Sequence, residues 1–179
     1  MLNQAALFLI DVMVGFFTIL LLLRFYMQAF KVSFRNQVGA FVVQVTNWLV
    51  LPLRKVIPSA MGLDIASLLA AWLFQVLLLL AVLGLRGAFG LQGVEGLIGI
   101  VLWQALLGVL RNSIYLLIGA LLLQAVLSWV NPYSPLGQPL MQLTRPFLAP
   151  IQRIIPPIAN IDLSPLVAII LAQLVLMFL

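Results

Sequence analysis

Long apolar runs with very few charges constrain this chain more than any other feature. The first run, from Ala5 to Leu23, is about 19 residues long, and similar runs cover residues 65–85, 112–130 and 163–179. A helix needs about 20 apolar residues to cross a bilayer. Hydrophobic residues make up 65% of the chain and charged residues 7%, against roughly 45–50% and 25% in soluble domains. The sequence therefore excludes a soluble or a disordered protein and predicts an all-α, multi-pass membrane protein with about four transmembrane helices.

The residue types that most enzymes use are scarce. The chain has no Cys and no His, and its only acidic residues are Asp11, Asp64, Glu95 and Asp162. This composition argues against disulfides, thiolate nucleophiles, His acid–base chemistry and the usual zinc and haem sites. We therefore expect neither an enzyme nor a bound cofactor or metal. The net charge of +5 is too small, in so apolar a chain, to indicate binding of nucleic acid.

The sequence contains two copies of one unit, related by a shift of 98 positions. The matched pairs are PLRKVIP at 52–58 with PIQRIIP at 150–156, Asp64 with Asp162, and Gln75 with Gln173. Upstream of Val38 the register slips, and Arg24 aligns only loosely with Ser128. We divide the chain into a first repeat at 1–85, a Gly-rich linker at 86–110 and a second repeat at 111–179.

Each repeat reads as a spanning helix, a polar turn, an amphipathic stretch and a second spanning helix. The amphipathic stretches, at 38–53 and 136–155, carry several Gln residues, basic residues and prolines. Proline removes a helical hydrogen bond, and broken backbone is not tolerated facing lipid. We predict a Pro-broken amphipathic helix at the membrane interface in each repeat. A re-entrant segment inside the bundle is the alternative.

The basic residues between the spans of each repeat favour a parallel arrangement of the two copies. Five of them lie in the first repeat and two in the second, and the positive-inside rule places both groups in the cytoplasm. An inverted repeat would put one group outside. The N-terminal run lacks a basic start and a cleavage site, so we expect a retained helix, with both termini outside.

The linker has a glycine at every third position from Gly84 to Gly99. It is interpreted either as a flexible outer loop or as a small-residue face that lets two helices approach closely. Residues 97–110 are too short to span. They are expected to form an interfacial helix or a long extension of the third span.

Asp64 and Asp162 stand where the second helix of each repeat begins. A carboxylate there accepts hydrogen bonds from free N–H groups and favours the positive helix end, so both are predicted helix caps. The alternative is a symmetric pair that attracts cations, which the nearby Lys55 and Arg153 would oppose.

Five further polar residues are predicted inside the membrane. Gln75 and Gln173 lie roughly 16 Å into their helices, where an amide needs a hydrogen-bond partner. One possibility is that their amides form hydrogen bonds between helices, across the axis that relates the two repeats. The other is that, with Gln124, they line a path for an ion or water. Asp11 in the first span is expected to pair with Arg111 and lock the two repeats together. An ion or proton site at Asp11 is the alternative.

A second set of residues is predicted at the lipid head groups. Trp48 suits the interface, and the basic side chains of Arg54, Lys55 and Arg153 suit anionic lipid heads.

The doubled pattern of PLRKVIP before Asp64 and PIQRIIP before Asp162 resembles the YggT family of bacterial inner-membrane proteins, over nearly the whole chain. One departure is Gln152, which stands where the first copy has Arg54. The resemblance implies a non-enzymatic protein of the bacterial inner membrane, with periplasmic termini on our orientation and a link to osmotic and potassium homeostasis. Two functions remain open. The first is a scaffold or assembly factor that acts with a second copy or another membrane protein. The second is a component of a potassium channel or transporter.

Overall fold

The computed structural model describes residues 2–57, 62–85, 94–131, 133–154 and 162–179. Its regular structure is six α-helices, which confirms the all-α prediction. They are α1 (Leu2–Ala29), α2 (Gln37–Val56), α3 (Ile65–Leu85), α4 (Val94–Val130), α5 (Gly137–Ile154) and α6 (Ser164–Phe178).

Three of these helices, α1, α3 and α4, are long and apolar enough to cross a membrane. The fourth predicted span, α6, is equally apolar, but its 15 residues give a length of about 22 Å, less than a full hydrocarbon core. The helix α4 is the opposite case, because its 37 residues extend for about 55 Å. This is the architecture of a multi-pass helical membrane protein.

Residues 97–110 form the first part of α4, continuous with the third span. Of the two expectations for this segment, the structure therefore has the long extension and not a separate interfacial helix. The first part of the Gly-rich linker, at 86–93, lies outside the described residues.

The two amphipathic helices were expected to be broken by proline, but both are continuous. Pro52 lies within α2, and Pro146 and Pro150 lie within α5. All three prolines are exposed, so each ring projects away from the bundle and the carbonyl that lacks its N–H partner can be solvated. The N-terminus of α2 is capped by Asn36, whose Oδ1 accepts from the Gly39 N–H at 2.7 Å.

The two repeats run in the same direction and meet along α1 and α4. Met27, in the last turn of α1, and Val32, in the loop that follows, pack with Ala120 in the last third of α4 and with Leu143 of α5. The rings of Phe30 and Phe147 also meet there, with centroids 6.0 Å apart. The ends of α1 and α4 thus lie at one end of the bundle together with α2 and α5. We call this the basic end, because both groups of basic residues between the spans lie there.

Candidate functional site: a buried arginine–aspartate cluster

Asp64 is the centre of a charged cluster at the basic end. Its carboxylate is fully buried and contacts two arginines. The Arg54 Nε and Nη2 atoms donate to Oδ1 at 3.2 Å and to Oδ2 at 2.5 Å. The Arg24 Nε lies 3.3 Å from Oδ2. The cluster therefore joins α1 and α2 to the start of α3.

Neutral side chains complete the cluster around the two arginines. Arg24 Nη1 donates to the Thr46 hydroxyl at 2.7 Å and to Asn47 Oδ1 at 3.0 Å, both on α2. Arg54 Nη2 also donates to Gln28 Oε1 at 3.1 Å. Buried charges need both a counter-charge and hydrogen bonds to be stable, and these contacts supply both.

The environment keeps Asp64 ionised. Burial of its carboxyl raises the pKa, but hydrogen bonds from Arg54 and Ser67 and the positive charges of Arg54 and Arg24 outweigh burial, and the pKa lies below its usual value. One carboxylate faces two guanidinium groups, so the cluster has a net positive charge. The side chain of Arg54 is 35% exposed and that of Arg24 only 4%, so this charge reaches solvent or lipid through Arg54.

Asp64 also serves as the predicted helix cap. Its Oδ1 accepts from the Ser67 N–H at 3.4 Å, and its Oδ2 accepts from the Ser67 hydroxyl at 2.6 Å. The larger role of Asp64, which is to bind two arginines, was not predicted from the sequence. Arg24 lies near the end of the first span and Asp64 at the start of the next one. Antiparallel neighbouring helices bring such positions together, so these two positions in the sequence already indicated a contact between Arg24 and Asp64.

The second repeat has the same arrangement without the arginines. Gln152 Nε2 donates to Asp162 Oδ2 at 2.8 Å, as Arg54 does to Asp64. The hydroxyl of Thr144, the counterpart of Thr46, bonds Gln124 Oε1 at 2.5 Å. Gln124 therefore stands where the first repeat has Arg24, 100 positions earlier, and not Ser128 as the sequence alignment suggested. Two glutamines replace two arginines.

Asp162 differs from Asp64 in its surroundings. Its carboxylate is exposed and accepts from the Ser164 N–H at 2.9 Å, so it bonds the first turn of α6. Burial raises its pKa, but the bonds from Ser164 and Gln152 outweigh burial and lower it. An exposed carboxylate can rely on water instead of on a cation. This explains why the second repeat tolerates the loss of both arginines.

An open cavity of about 360 Å³ lies beside these glutamines. Gln124, Gln152 and Arg145 line it, together with further amide side chains of α5. Arg145 is the counterpart of Asn47, so the positive charge that α1 carries in the first repeat is carried by α5 in the second.

The other predicted intramembrane residues do not come together. Gln75 is buried and donates to the Thr18 hydroxyl at 3.1 Å, while Gln173 is exposed on α6. Gln75 also lies against Gly108 of α4, where an added Cβ would be 2.6 Å from its Oε1. Gln75 thus bonds a neighbouring helix, as expected, but its partner is Thr18 of the same repeat.

Asp11 and Arg111 do not pair. Arg111 Nη2 donates to the main-chain oxygen of Leu179 at 2.8 Å, and among the described residues the ion pairs are those of Asp64 with its two arginines. Asp11 is exposed on α1. The Arg111 contact ties α4 to the end of α6, within the second repeat, so the predicted lock between the repeats is replaced by a contact inside one of them.

The predicted head-group residues separate into two groups. Lys55 and Arg153 are exposed at the ends of α2 and α5, and Trp48 is 61% exposed, with its ring against Phe17. Arg54 lies instead in the buried cluster. Within the residues that the structure describes, no three acidic, His or Cys side chains lie close enough to hold a metal ion.

Comparison with known proteins agrees with this two-part arrangement. The profile of the CCB3/YggT family matches residues 3–85 and 103–179, one segment for each repeat. "Uncharacterized protein YggT" of Escherichia coli K12 is 35% identical over 94% of this chain and 85% of its own length.

Two further relatives have similar coverage. "Uncharacterized protein in proC 3'region" of Vibrio alginolyticus is 35% identical over 91% of this chain and 86% of its own. "Uncharacterized protein" of Haemophilus influenzae is 30% identical over 93% and 86%. None of the three names assigns an activity, and no solved structure matches significantly. With both repeats matched and relatives aligned over almost its full length, the chain belongs to the CCB3/YggT family.

Proposed function

We propose that the protein is a non-enzymatic scaffold or assembly factor of the bacterial inner membrane. In this proposal α2 and α5 lie along the cytoplasmic leaflet and both termini are periplasmic, because the positive-inside rule places the basic end in the cytoplasm. The proposed partner is a second copy of the chain or another membrane protein.

One observation carries the proposal. The intramembrane polar side chains form hydrogen bonds in separate local pairs. Gln75 pairs with Thr18 between α3 and α1, and Gln124 pairs with Thr144 between α4 and α5. A conduit for potassium requires polar groups that line one continuous path. The cavity beside Gln124 includes none of Asp11, Gln75 and Gln173 in its lining. The pairs therefore favour a role in fixing helices over a role in conduction.

The exposed faces of the amphipathic helices support a role in contact. Lys55 and Arg153 are free to meet anionic lipid heads, where each charge contributes about 1 kcal/mol. Trp48 adds an exposed ring near the same end. The buried Arg24–Asp64–Arg54 cluster holds α2 against the bundle and so fixes the orientation of this face.

The test compares conduction with contact in one set of proteoliposomes. Potassium flux is measured for the native chain and for the double variant Gln75→Leu with Gln173→Leu. We expect no flux above that of empty liposomes. Flux that the double variant abolishes would refute the scaffold and establish the potassium channel or transporter.

Contact is measured in cells with a photo-crosslinking residue at Lys55 or Arg153, and at Leu77, which is 58% exposed on α3, as the control position. We expect discrete crosslinked species from the two basic positions only. Equal, diffuse labelling from all three positions would contradict a defined contact face. The osmotic role is proposed as the cellular readout: loss of the crosslinks should accompany loss of growth at high osmolarity.

A further inference from the structure

We propose that the seam between the two repeats binds one acyl chain of an anionic phospholipid, whose head group meets Lys31 and Arg35. The site is an apolar groove of about 320 Å³ between α1 and α4. This size is at the lower end of the range for ligand pockets in proteins. The groove is distinct from the polar cavity beside Gln124 and from the arginine–aspartate cluster.

The groove has the direction and length of a lipid chain in one leaflet. One wall is the α1 stripe of Ile19, Leu23 and Met27, and the opposite wall is the α4 stripe of Tyr115, Gly119 and Leu123. Each stripe extends over nine residues, and the eight steps between its first and last residue give about 12 Å along the helix. One leaflet of the hydrocarbon core is about 15 Å thick. Both stripes lie on helices that span the membrane, so the groove opens toward the hydrocarbon core and not toward water. An acyl chain is the apolar molecule present there that can fill the groove.

The charge at the mouth of the groove selects the head group. The groove ends at Val32, within the loop between α1 and α2, and at Val38, in the first turn of α2. This loop carries Lys31 and Arg35, both exposed, and no acidic residue. Two cations at the end of an acyl-chain groove match a phosphate with net negative charge. A zwitterionic head group would gain less from them.

A second apolar cavity supports loose packing along the same seam. It measures about 170 Å³ and lies on the other side of Leu116 and Leu143, two residues that line both cavities. The two halves therefore meet with space on both sides, whereas the contact of α1 with α3 inside the first repeat is filled by small residues such as Ala66, Ala70 and Ala71. A lipid that fills the seam would join the repeats.

Gly119 gives a direct way to fill the groove. It lines the groove, and an added Cβ would meet no atom within 4 Å, so Gly119→Leu occupies the space without a backbone clash. Gly99 on the same helix is equally open and lies outside the groove. Gly99→Leu is therefore the matched control.

The experiment uses the full chain in vesicles of phosphatidylethanolamine and phosphatidylglycerol, with a phosphatidylglycerol probe that carries a diazirine in its acyl chain. After photolysis, the labelled peptides are mapped. We expect labelling concentrated on the α1 and α4 walls, loss of that labelling in Gly119→Leu, and no loss in Gly99→Leu. Melting temperatures are measured alongside, so that a loss of fold is separated from a loss of binding.

A second pair of variants tests the head group without altering the groove. Lys31 has a φ of 56°, a conformation that Asn tolerates, so Lys31→Asn with Arg35→Gln removes both charges. The control is Lys55→Gln with Arg153→Gln. The readout is labelling of the groove walls alone, since Lys55 and Arg153 lie outside the groove and affect lipid contacts elsewhere. We expect the preference of this labelling for a phosphatidylglycerol probe over a phosphatidylcholine probe to fall about fivefold per charge removed in the first pair only.

Two results would overturn the inference. One is labelling spread evenly over all lipid-facing helices and unchanged by Gly119→Leu. The other is a dimer in which a second copy shields the groove from the probe. Neither result bears on the potassium flux or on the crosslinks from α2 and α5, so the inference and the proposed function fail separately.

Discussion

Arg24 and Asp64 are 40 positions apart in sequence, yet the Nε of the arginine lies 3.3 Å from Oδ2 of the aspartate, with both side chains almost completely buried. The pair connects the last turns of α1 to the start of α3. These two helices also make the most extensive helix contact of the described residues. The position of α2 depends on the same carboxylate through Arg54, so a single acidic residue organises three helices.

The substitution Asp64→Asn should strongly destabilise the fold. It leaves two guanidinium groups without a counter-charge, and removal of one partner from a buried ion pair costs about 3–5 kcal/mol. We expect the lower part of this range, because Arg54 is partly exposed. Thermal unfolding in detergent measures the change. The control Asp162→Asn removes an exposed carboxylate and should have a much smaller effect.

Neutralising the whole cluster should restore part of that stability. The triple variant Arg24→Gln, Arg54→Gln and Asp64→Asn carries at both arginine positions the residue that the second repeat uses. Replacement of a complete buried ion cluster by well-packed hydrophobic residues is often neutral or stabilising, whereas removal of one partner leaves an unpaired charge. The triple variant likewise leaves no unpaired charge. We expect the triple variant to melt at a higher temperature than Asp64→Asn alone. Additive losses from the three substitutions would contradict this interpretation.

The sequence predicted the helices, the repeat and the cap at Asp64, because apolar length, spacing and position at a helix start are local properties. Asp162 was also predicted to be a cap, but the N-cap position of α6 is Leu163. The sequence did not predict which arginines bind Asp64. In the sequence Arg54 is a predicted head-group residue and Arg24 is one of the basic residues between the spans. Only the packing of α1, α2 and α3 brings both to one carboxylate. The predicted pairing of Asp11 with Arg111 was wrong for the same reason. Two side chains at a similar depth in the membrane pair only if their helices turn those sides toward each other, and the sequence does not determine this.

Stability should fall at acidic pH through Asp64. The folded-state pKa of this carboxyl is below the ordinary value of 3.8. A group with a lowered folded pKa stabilises the protein above its unfolded pKa, and that contribution is lost as the pH falls through the folded value. The loss should therefore occur below a pH of about 3.8. Asp64→Asn should have a shallower decline over that range, measured by unfolding at fixed temperature. An unchanged slope would exclude Asp64 as its source.

The glycine at position 39 should not tolerate a side chain. An added Cβ would lie 2.6 Å from the Phe34 Cα and 2.8 Å from its carbonyl oxygen, which are backbone atoms. Gly39→Ala should therefore shift the capped start of α2, at a cost of about 1–3 kcal/mol for overpacking. Gly137, 98 positions later at the start of α5, has no atom within 4 Å of such a Cβ. Gly137→Ala should be neutral or slightly stabilising, and the two variants are compared by thermal unfolding.

The two glutamines matched by the repeat should respond differently to the same change. Gln75 is buried and bonded to Thr18, and Gln173 is exposed. Gln75→Leu removes a hydrogen bond between membrane helices, which contributes about 0.6 kcal/mol on average. It also places a branched side chain in the space beside Gly108 that the amide group occupies. Gln173→Leu removes a polar group from an apolar surface and should have no unfavourable effect. A double-mutant cycle of Gln75→Leu with Thr18→Val measures the coupling energy of this hydrogen bond. A second cycle, of Gln173→Leu with Thr18→Val, should give a coupling energy of zero. Equal effects of the two glutamine variants would mean that Gln173 also has a partner in the membrane.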